Sequence, residues 1–516
     1  MNIRTSGILL PIQSLSSATG IGDLGPESRK FIDFLCDAGQ NIWQILPINP
    51  TLAEHGHSPY HSPSAFAFNP LLISPEMMVD AGYLDNVDLH TMPAFPTGRI
   101  DYEASTQVKE KLFTRAHDRF RQDDPEFEKF CSQHAHWLDD YALFTALSKH
   151  YQNTRWHQWP EPIRNREPGA LVTATLKLSE EISFIRFVQY IFYTQWLDFK
   201  TACNDKGIQI MGDLPVYVPH ESADVWVHPG LFKLDSHMTP IAVTGVPPDY
   251  FSETGQRWGH PVYKWDAHRE SSFDWWMSRI QHNLDLYDYL RIDHFRGLVA
   301  YWEIPVNEKT AVNGKWINAP VRDFFNTLFH RMPCAPVIAE DLGYITADVR
   351  EIIREYEIPG MRVLIFGFDS PSNNPNAPHN IDGSCVVYTG THDTNTARGW
   401  FDNEAGTSVK ERVFSYFGRT MTATEFTDEL VRTAYMSRAW LCIIPMQDLL
   451  SLGSDARINR PGSGEGNWQW RLEKTQVDAS LASKLRQMAE RFGRTEFPET
   501  GNKNSSGGCD LPVEPD

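Results

Sequence analysis

Eight short runs of apolar residues recur along the 516-residue chain, at positions 7–12, 42–48, 208–218, 289–295, 337–342, 362–368, 386–391 and 441–446. They lack the strict alternation of a half-exposed strand and tend to end in polar or charged residues, so they predict strands buried on both faces. Apolar positions at helical spacing fill most of the intervals, at 26–38, 183–203, 273–286, 346–356 and 424–439. The first of these starts with Pro26 in its first turn and stops before Gly39, as helix termini prefer. Strands alternating with helices imply parallel βα units, and eight is the number that closes a (β/α)8 TIM barrel. An open doubly wound sheet has the same periodicity and stays an alternative at this level.

The spacing of the runs is uneven. About 160 residues separate the second from the third, far more than one crossover helix needs. Helical patterns at 104–121 and 127–150 and a Pro-rich piece at 156–168 lie in this interval, which predicts an inserted, largely helical subdomain over 50–185. A second excursion, 219–265, is rich in Pro, Gly, His and aromatics and is expected to form a lid or binding loop. The barrel with these insertions spans 1–500, and the Gly-, Ser- and Asn-rich end, 501–516, is expected to be a disordered tail.

Composition narrows the function. Net charge is −19, from 47 basic and 66 acidic residues, which repels a phosphate backbone and argues against nucleic acid as a partner. No stretch approaches the roughly 18 continuous apolar residues of a membrane span, and the run at 7–12 is too short for a secretory leader. Seven cysteines without a C-x-x-C pair are expected to be reduced thiols of a cytoplasmic protein. The 16 Trp, 18 Tyr and 29 Phe suit a core and equally a surface that stacks on sugar rings.

Two motifs invite over-reading. Gly20-Ile21-Gly22-Asp23-Leu24-Gly25 matches G-x-G-x-x-G, but a linker separates it from the first strand and the second strand ends in Leu46-Pro47-Ile48-Asn49, without the acid that binds a ribose. Asp23 or a neighbour capping the next helix is the better reading. His55, His57 and His61 have metal-like spacing, yet no Cys or adjacent helix fixes their geometry, so a polar surface loop is expected.

Acids at strand ends carry more weight. Asp213, Asp293, Glu340, Asp341 and Asp393 end or follow four different runs. A buried carboxylate is costly unless paired, and the C-terminal strand ends of a barrel converge on one face. Arg291 lies two residues before Asp293, on the same strand face, where its charge is expected to keep Asp293 ionised as a nucleophile. Neighbouring carboxylates are expected to raise Glu340 towards use as a general acid. Two such groups suffice for glycoside hydrolysis or transfer; metal-dependent chemistry uses acids similarly and stays open.

These segments, in this order, resemble the 4-α-glucanotransferases (amylomaltase or disproportionating enzyme, glycoside hydrolase family 77). The pieces include Ser6-Gly7-Ile8-Leu9-Leu10, Trp43-Gln44-Ile45-Leu46-Pro47, Ser58-Pro59-Tyr60, Gly212-Asp213-Leu214-Pro215, Gln256-Arg257-Trp258-Gly259, Arg291-Ile292-Asp293-His294, Ala339-Glu340-Asp341-Leu342-Gly343, Thr391-His392-Asp393 and Gly466-Asn467-Trp468-Gln469-Trp470. The resemblance implies a barrel with insertions that moves α-1,4-glucan segments between maltooligosaccharides or starch-type glucans. It makes Asp293 the nucleophile, Glu340 the general acid/base and Asp393 the stabiliser of the transition state. Asp213, Arg291, His294 and His392 fall around the reacting glucose, with Tyr60 stacking on it. Ser58, Gln256 and Asn467 belong to the substrate-binding set, and Trp258 to a loop folding over the cleft. The family often has small or acidic residues where this chain has His55-Gly56-His57. No metal or organic cofactor is implied. A glucan hydrolase with the same acids is the nearest rival reading, and a catalytically silent glucan-binding protein a further one. Trp258 is read as the tip of a flap, against the alternative of a core anchor.

Overall fold

Eight parallel strands, β1 (Thr5–Leu9), β2 (Ile42–Gln44), β3 (Gln209–Leu214), β4 (Tyr289–Ile292), β5 (Val337–Ala339), β6 (Met361–Val363), β7 (Val386–Tyr388) and β8 (Leu441–Pro445), pair in the order β6-β7-β8-β1-β2-β3-β4-β5. Each overlaps one of the eight apolar runs, and the sheet curls into a nearly closed (β/α)8 barrel rather than an open doubly wound sheet. The computed structural model describes residues 4–90, 92–121, 123–248, 252–369 and 373–495; the expected tail at 501–516 lies outside them. Some runs are only partly strand. The run at 208–218 leaves the ladder at Leu214, because Pro215 has no N–H to donate, and 362–368 turns after Val363 into the 3-10 segment Leu364–Phe368.

Close approach closes one part of the barrel and a side chain closes another. Gly7 of β1 faces Ile42 and Ile443, and a Cβ there would lie 2.3 Å from the Ile42 carbonyl oxygen. At the seam between β5 and β6, the Ala339 N–H donates to the Pro359 carbonyl at 2.8 Å. The Met361 N–H donates to Asp341 Oδ1 at 2.6 Å, while Arg362 Nη1 lies 3.0 Å from Asp341 Oδ2. Asp341 is thus a buried stitch across the seam; the other four strand-end acids have a different surrounding.

The helices start where local chemistry favours it. Helix α1 (Pro26–Asp37) follows β1, and the insertion holds α2 (Tyr102–Arg119) and α3 (Pro125–His150), the latter begun by Asp124, whose carboxylate accepts from the Glu126 and Phe127 N–H groups. The 27-residue α4 (Ser179–Asp205) runs straight through the expected insertion boundary at 185, leading from the insertion to β3. Two of its glutamines fasten the insertion. Gln189 both accepts from and donates to the backbone of Phe68, at 2.8 and 2.9 Å, and Gln195 does the same to Ser74, at 2.7 and 2.9 Å. The barrel helices α5 (Asp274–Leu286), α6 (Ala347–Glu355) and α7 (Ala423–Met436) match the remaining helical patterns to within a few residues.

Three expectations need correction. Asp23 does not cap α1: the helix has Gly25 at its N-cap with no side-chain bond. Asp23 instead accepts from the Gly25 N–H at 3.0 Å and lies 3.4 Å from the buried Lys109 Nζ, which binds the Leu71 and Ile73 carbonyls at 2.7 Å each. The G-x-G-x-x-G segment therefore joins barrel to insertion. Second, the 219–265 excursion is partly sheet. Its strands Ala242–Val246 and Gln256–Pro261 pair antiparallel with each other, and Ala242–Val246 pairs further with Ala300–Pro305, which continues to Lys315–Asn318. Third, Cys36, Cys131, Cys203, Cys385 and Cys442 are free thiols, whereas Cys334 is disulfide-bonded. No helix among the described residues is long and apolar enough to cross a membrane.

The seam makes a stability prediction. Burial raises the Asp341 carboxyl above its ordinary range although Arg362 opposes it. Arg362→Met leaves that buried charge without its cation, and near neutral pH it is expected to cost about 3 kcal/mol. The cost depends on an ionised Asp341, so it shrinks as pH falls through the folded-state value towards the unfolded one. Denaturant midpoints of both proteins at neutral and acid pH check this; an equal gap at both pH values refutes it.

Candidate active site

Asp213 and Arg291 are register partners on β3 and β4, so their side chains leave the sheet on the same face. Arg291 Nη1 lies 2.7 Å from both oxygens of Asp213 and 3.0 Å from Asp293 Oδ1. The side chains of Arg291 and Asp213 are 3% and 0% exposed and that of Asp293 is 26% exposed, which makes the first two a foundation and the third a group open to the cleft. The expectation for Asp293 is only half met. Arg291 does pull its carboxyl down, but burial outweighs it, and Asp213, Glu340 and Asp393 add to the upward push. One guanidinium cannot balance four carboxylates, so the cluster resists full ionisation.

Proton positions follow from the acceptors. A carboxylate only accepts, so the Tyr60 hydroxyl donates to Asp213 Oδ2 at 2.7 Å and must accept from His392 Nε2 at 2.6 Å. His392 therefore carries its hydrogen on Nε2. Burial lowers its proton affinity and keeps it neutral. The Tyr60 and His392 rings are stacked, 5.5 Å apart with 12° between planes, and Trp468 tilts against Tyr60 at 5.9 Å.

Glu340 directly follows β5. Its N–H donates to the Ile292 carbonyl at 3.0 Å, and its carboxylate accepts from the His294 N–H at 2.7 Å and the Leu342 N–H at 2.9 Å. His294 has φ of 45°, a left-handed conformation uncommon for a side-chain-bearing residue, at the turn just past Asp293. Burial first, with Asp341 adding to it, pushes Glu340 up to about 7, while Arg291 and the two N–H donors pull the other way. No cation pairs with Glu340 among the described residues. Asp393 stands in the loop after β7, 41% exposed, with Oδ1 accepting from Asn459 Nδ2 at 2.6 Å and Oδ2 3.5 Å from His392 Nε2. Arg457 Nη2 holds its carbonyl at 3.0 Å.

A cleft of about 450 Å³ opens over these groups. Ser58, Tyr60, Gln256, Trp258, Asp293, His294, Asp393 and Asn467 line it, while Asp213, Arg291 and His392 are buried and Glu340 is partly buried. Trp258 is half-buried on the strand Gln256–Pro261, an edge of the antiparallel sheet, and not at the tip of an irregular flap. Its ring meets His294 edge-on at 4.7 Å, and its Nε1 donates to Gln256 Oε1 at 3.2 Å. Gly255 and Gly259 on either side have φ of 65° and 84°, backbone that an L side chain strains to adopt. Asn467 is turned on its own loop, accepting from the Arg460 N–H and donating to the Ser463 carbonyl, both at 2.9 Å.

The histidine loop divides. His57 stacks on Tyr102 at 4.0 Å and hydrogen-bonds Thr51 at 3.2 Å, while His61 packs between His55 at 4.9 Å and His260 at 4.5 Å on the cleft wall. Burial lowers His61 to about 4 and His260 further, so both are neutral imidazoles near pH 7. Sequence reasoning missed Asn459, Tyr217 and His260, all of which line the cleft. Asn459 and Tyr217 carry no spacing signal; His260 is two residues past Trp258, and the alternation of a strand there was the available clue.

Comparison with known proteins agrees with this geometry. The family model described as 4-alpha-glucanotransferase, glycoside hydrolase family 77, matches residues 10–476. A 4-alpha-glucanotransferase of Aquifex aeolicus is 46% identical over 473 residues, covering 92% of this chain and 96% of that one. One from Synechocystis is 44% identical over 499 residues, with 95% and 98% covered. The amylomaltase of Streptococcus agalactiae, solved in complex with acarbose, superposes with a TM-score of 0.91 at 38% identity, covering 95% of this chain and 99% of that one. The barrel, the carboxylate cluster and these matches lead to one assignment: the chain belongs to the 4-alpha-glucanotransferase family, glycoside hydrolase family 77, and is a 4-alpha-glucanotransferase.

Proposed function

We propose that the protein moves α-1,4-glucan segments from a donor maltooligosaccharide or starch-type glucan to the 4-hydroxyl of an acceptor glucan or glucose, with retention, through a covalent glucosyl-Asp293 intermediate. The observation that carries this reading is the unequal support of two neighbouring acids. Asp293 pairs with Arg291 at 3.0 Å, whereas Glu340 makes no ion pair among the described residues and burial pushes its carboxyl up to about 7. A single proton shared by the pair therefore settles on Glu340, and its presence there removes the repulsion that resists ionisation of Asp293.

In the first step Glu340 protonates the glycosidic oxygen as it leaves, and Asp293 attacks the anomeric carbon. With Oδ1 held by Arg291, Oδ2 is the attacking oxygen. The C–O bond to the leaving glucan breaks as the bond to Asp293 forms. Glu340, now a carboxylate, takes the proton from the acceptor 4-hydroxyl, whose oxygen displaces Asp293. Retention of this kind needs carboxyls about 5–5.5 Å apart. Asp393, with Oδ1 held by Asn459, is suited to bind sugar hydroxyls as the oxocarbenium-like state forms. Tyr60 and His392 fix Asp213 and the sugar-facing wall, and Trp258 stacks over bound sugar to keep water from the intermediate.

The assignment of roles is tested first by Asp293→Asn, which should keep the fold and glucan binding yet lose transfer by about 10⁴-fold or more. In Glu340→Gln, α-glucosyl fluoride should still glucosylate the protein, because fluoride leaves with little protonation. Mass spectrometry of a peptide digest should place the adduct on Asp293; an adduct elsewhere reverses the roles.

The pH profile follows from Glu340. The first step needs its protonated form, and the group sits at about 7. Donor kcat/KM should thus fall about tenfold per pH unit above that value. With the fluoride donor, Glu340→Gln should lack this alkaline limb. A limb that survives the substitution assigns it to another group.

Trp258→Ala should leave the thermal midpoint within a few degrees, since the ring is half-buried, but raise hydrolysis relative to transfer. Product analysis from maltotriose, scoring new reducing ends against longer oligomers, reads that ratio. A marked drop in midpoint with an unchanged ratio makes Trp258 an anchor.

A further inference from the structure

The insertion and the loop that follows β3 meet at a small polar cluster separate from the carboxylates of the cleft. His157 lies in the 3-10 turn Trp156–Gln158, and His220 and Glu221 lie between β3 and the helix Ala223–Val227. One ligand atom from each of the three falls within 4.8 Å of the others, and among the described residues this is the group of His, Cys, Asp and Glu able to hold a metal ion. We propose that His157, His220 and Glu221 form a divalent-cation site of the Zn²⁺ class that ties the insertion to the post-β3 loop.

Hydrogen-bond logic supports the assignment. His220 Nε2 lies 2.7 Å from the Met238 carbonyl oxygen, which only accepts, so Nε2 carries the hydrogen. Its Nδ1 then presents a lone pair to Glu221 Oε1 at 3.0 Å. Two lone pairs at that distance repel unless a positive charge lies between them, either a second proton on His220 or a metal ion. His157 bears on the choice. Its Nδ1 is buried, makes no hydrogen bond among the described residues and stands 3.7 Å from the same Glu221 oxygen, beyond hydrogen-bond reach.

Two imidazole nitrogens and a carboxylate oxygen converging in this way match three of four tetrahedral positions. Metal–ligand distances of about 2.0–2.2 Å place tetrahedral ligand atoms about 3.3–3.5 Å apart, and the observed 3.0 and 3.7 Å bracket that value. The outer partners are in place as well. A ligating histidine ordinarily gives its other N–H to a carbonyl or carboxylate, as His220 does to Met238, and Glu221 Oε2 accepts from the Trp156 N–H at 3.2 Å. The side chains of His157, His220 and Glu221 are 14%, 12% and 28% exposed, so water has access as the fourth ligand. Such an ion would act on architecture, not on the glycosyl chemistry. It would pin the loop a few residues past Val216 and Tyr217, which line the glucan cleft.

The test uses the full-length protein, freed of metal by chelator and dialysed, titrated separately with ZnCl₂ and CoCl₂. One Zn²⁺ per chain should bind and raise the thermal midpoint, and Co²⁺ should give the strong visible absorption of tetrahedral coordination. His157→Ala and Glu221→Gln should each weaken Zn²⁺ binding by more than the 10–100-fold that loss of an outer partner costs and abolish the midpoint rise. Metal-free midpoints and circular dichroism of the same variants establish that they are folded; if one variant is not, the other decides. Failure of the wild type to bind either ion, or equal binding by wild type and a folded variant, overturns the proposal in favour of an imidazolium–carboxylate pair.

Discussion

Arg291 Nη1 reaches both oxygens of Asp213 at 2.7 Å and Asp293 at 3.0 Å, so one positive charge is divided between carboxylates carried by neighbouring strands. At an effective dielectric near 20, two unit charges about 4 Å apart interact by about 4 kcal/mol, and four acids at one barrel mouth would otherwise repel without compensation. The division is unequal, and the inequality is useful. Asp213 takes the greater share and becomes a rigid base for Tyr60 and, through it, His392. Asp293 receives one contact and stays open to the cleft. Glu340 makes no ion pair among the described residues, and burial pushes its carboxyl up to about 7.

The wall above that cluster depends on the antiparallel sheet outside the barrel. Strands from the post-β3 excursion pair with strands from the segment after β4, so two loops that leave neighbouring barrel strands are locked to each other. This lock sets Trp258 edge-on against His294, and His294 in turn gives its N–H to Glu340. A short chain of contacts therefore joins the Trp258 ring to the Glu340 carboxylate. A loop of the same composition without the sheet would place the ring far less firmly.

Asp341 shows how position within a few ångströms separates structure from chemistry. It is the immediate neighbour of Glu340, yet its carboxylate spans the β5–β6 seam to Met361 and Arg362. The backbone N–H it satisfies would otherwise be left unpaired where the strand ladder is interrupted. One acid of the pair faces the cleft and the other closes the barrel, because successive residues at a strand end point to opposite sides.

The strand count, the parallel order and the concentration of acids at strand ends are properties the chain carries in its local pattern. A strand buried on both faces must be apolar along its length, and its functional groups must then cluster where it ends, so runs such as 289–295 announce both a strand and Asp293. The motif residues around Arg291, Glu340 and Asp393 were legible for the same reason. Other features depend on residues distant in sequence meeting in space. Asn459 acquires its meaning only beside Asp393, 66 positions away; His157 becomes notable only beside His220 and Glu221. The extra sheet escaped notice because its central pairing, Ala242–Val246 with Ala300–Pro305, joins segments more than 50 residues apart. The proton on Nε2 of His392 and the upward shift of Asp293 follow from burial and neighbours, not from residue type. Periodicity is a local property and survives in one dimension, whereas pairing and desolvation belong to the packed chain and were decided by the tertiary structure alone.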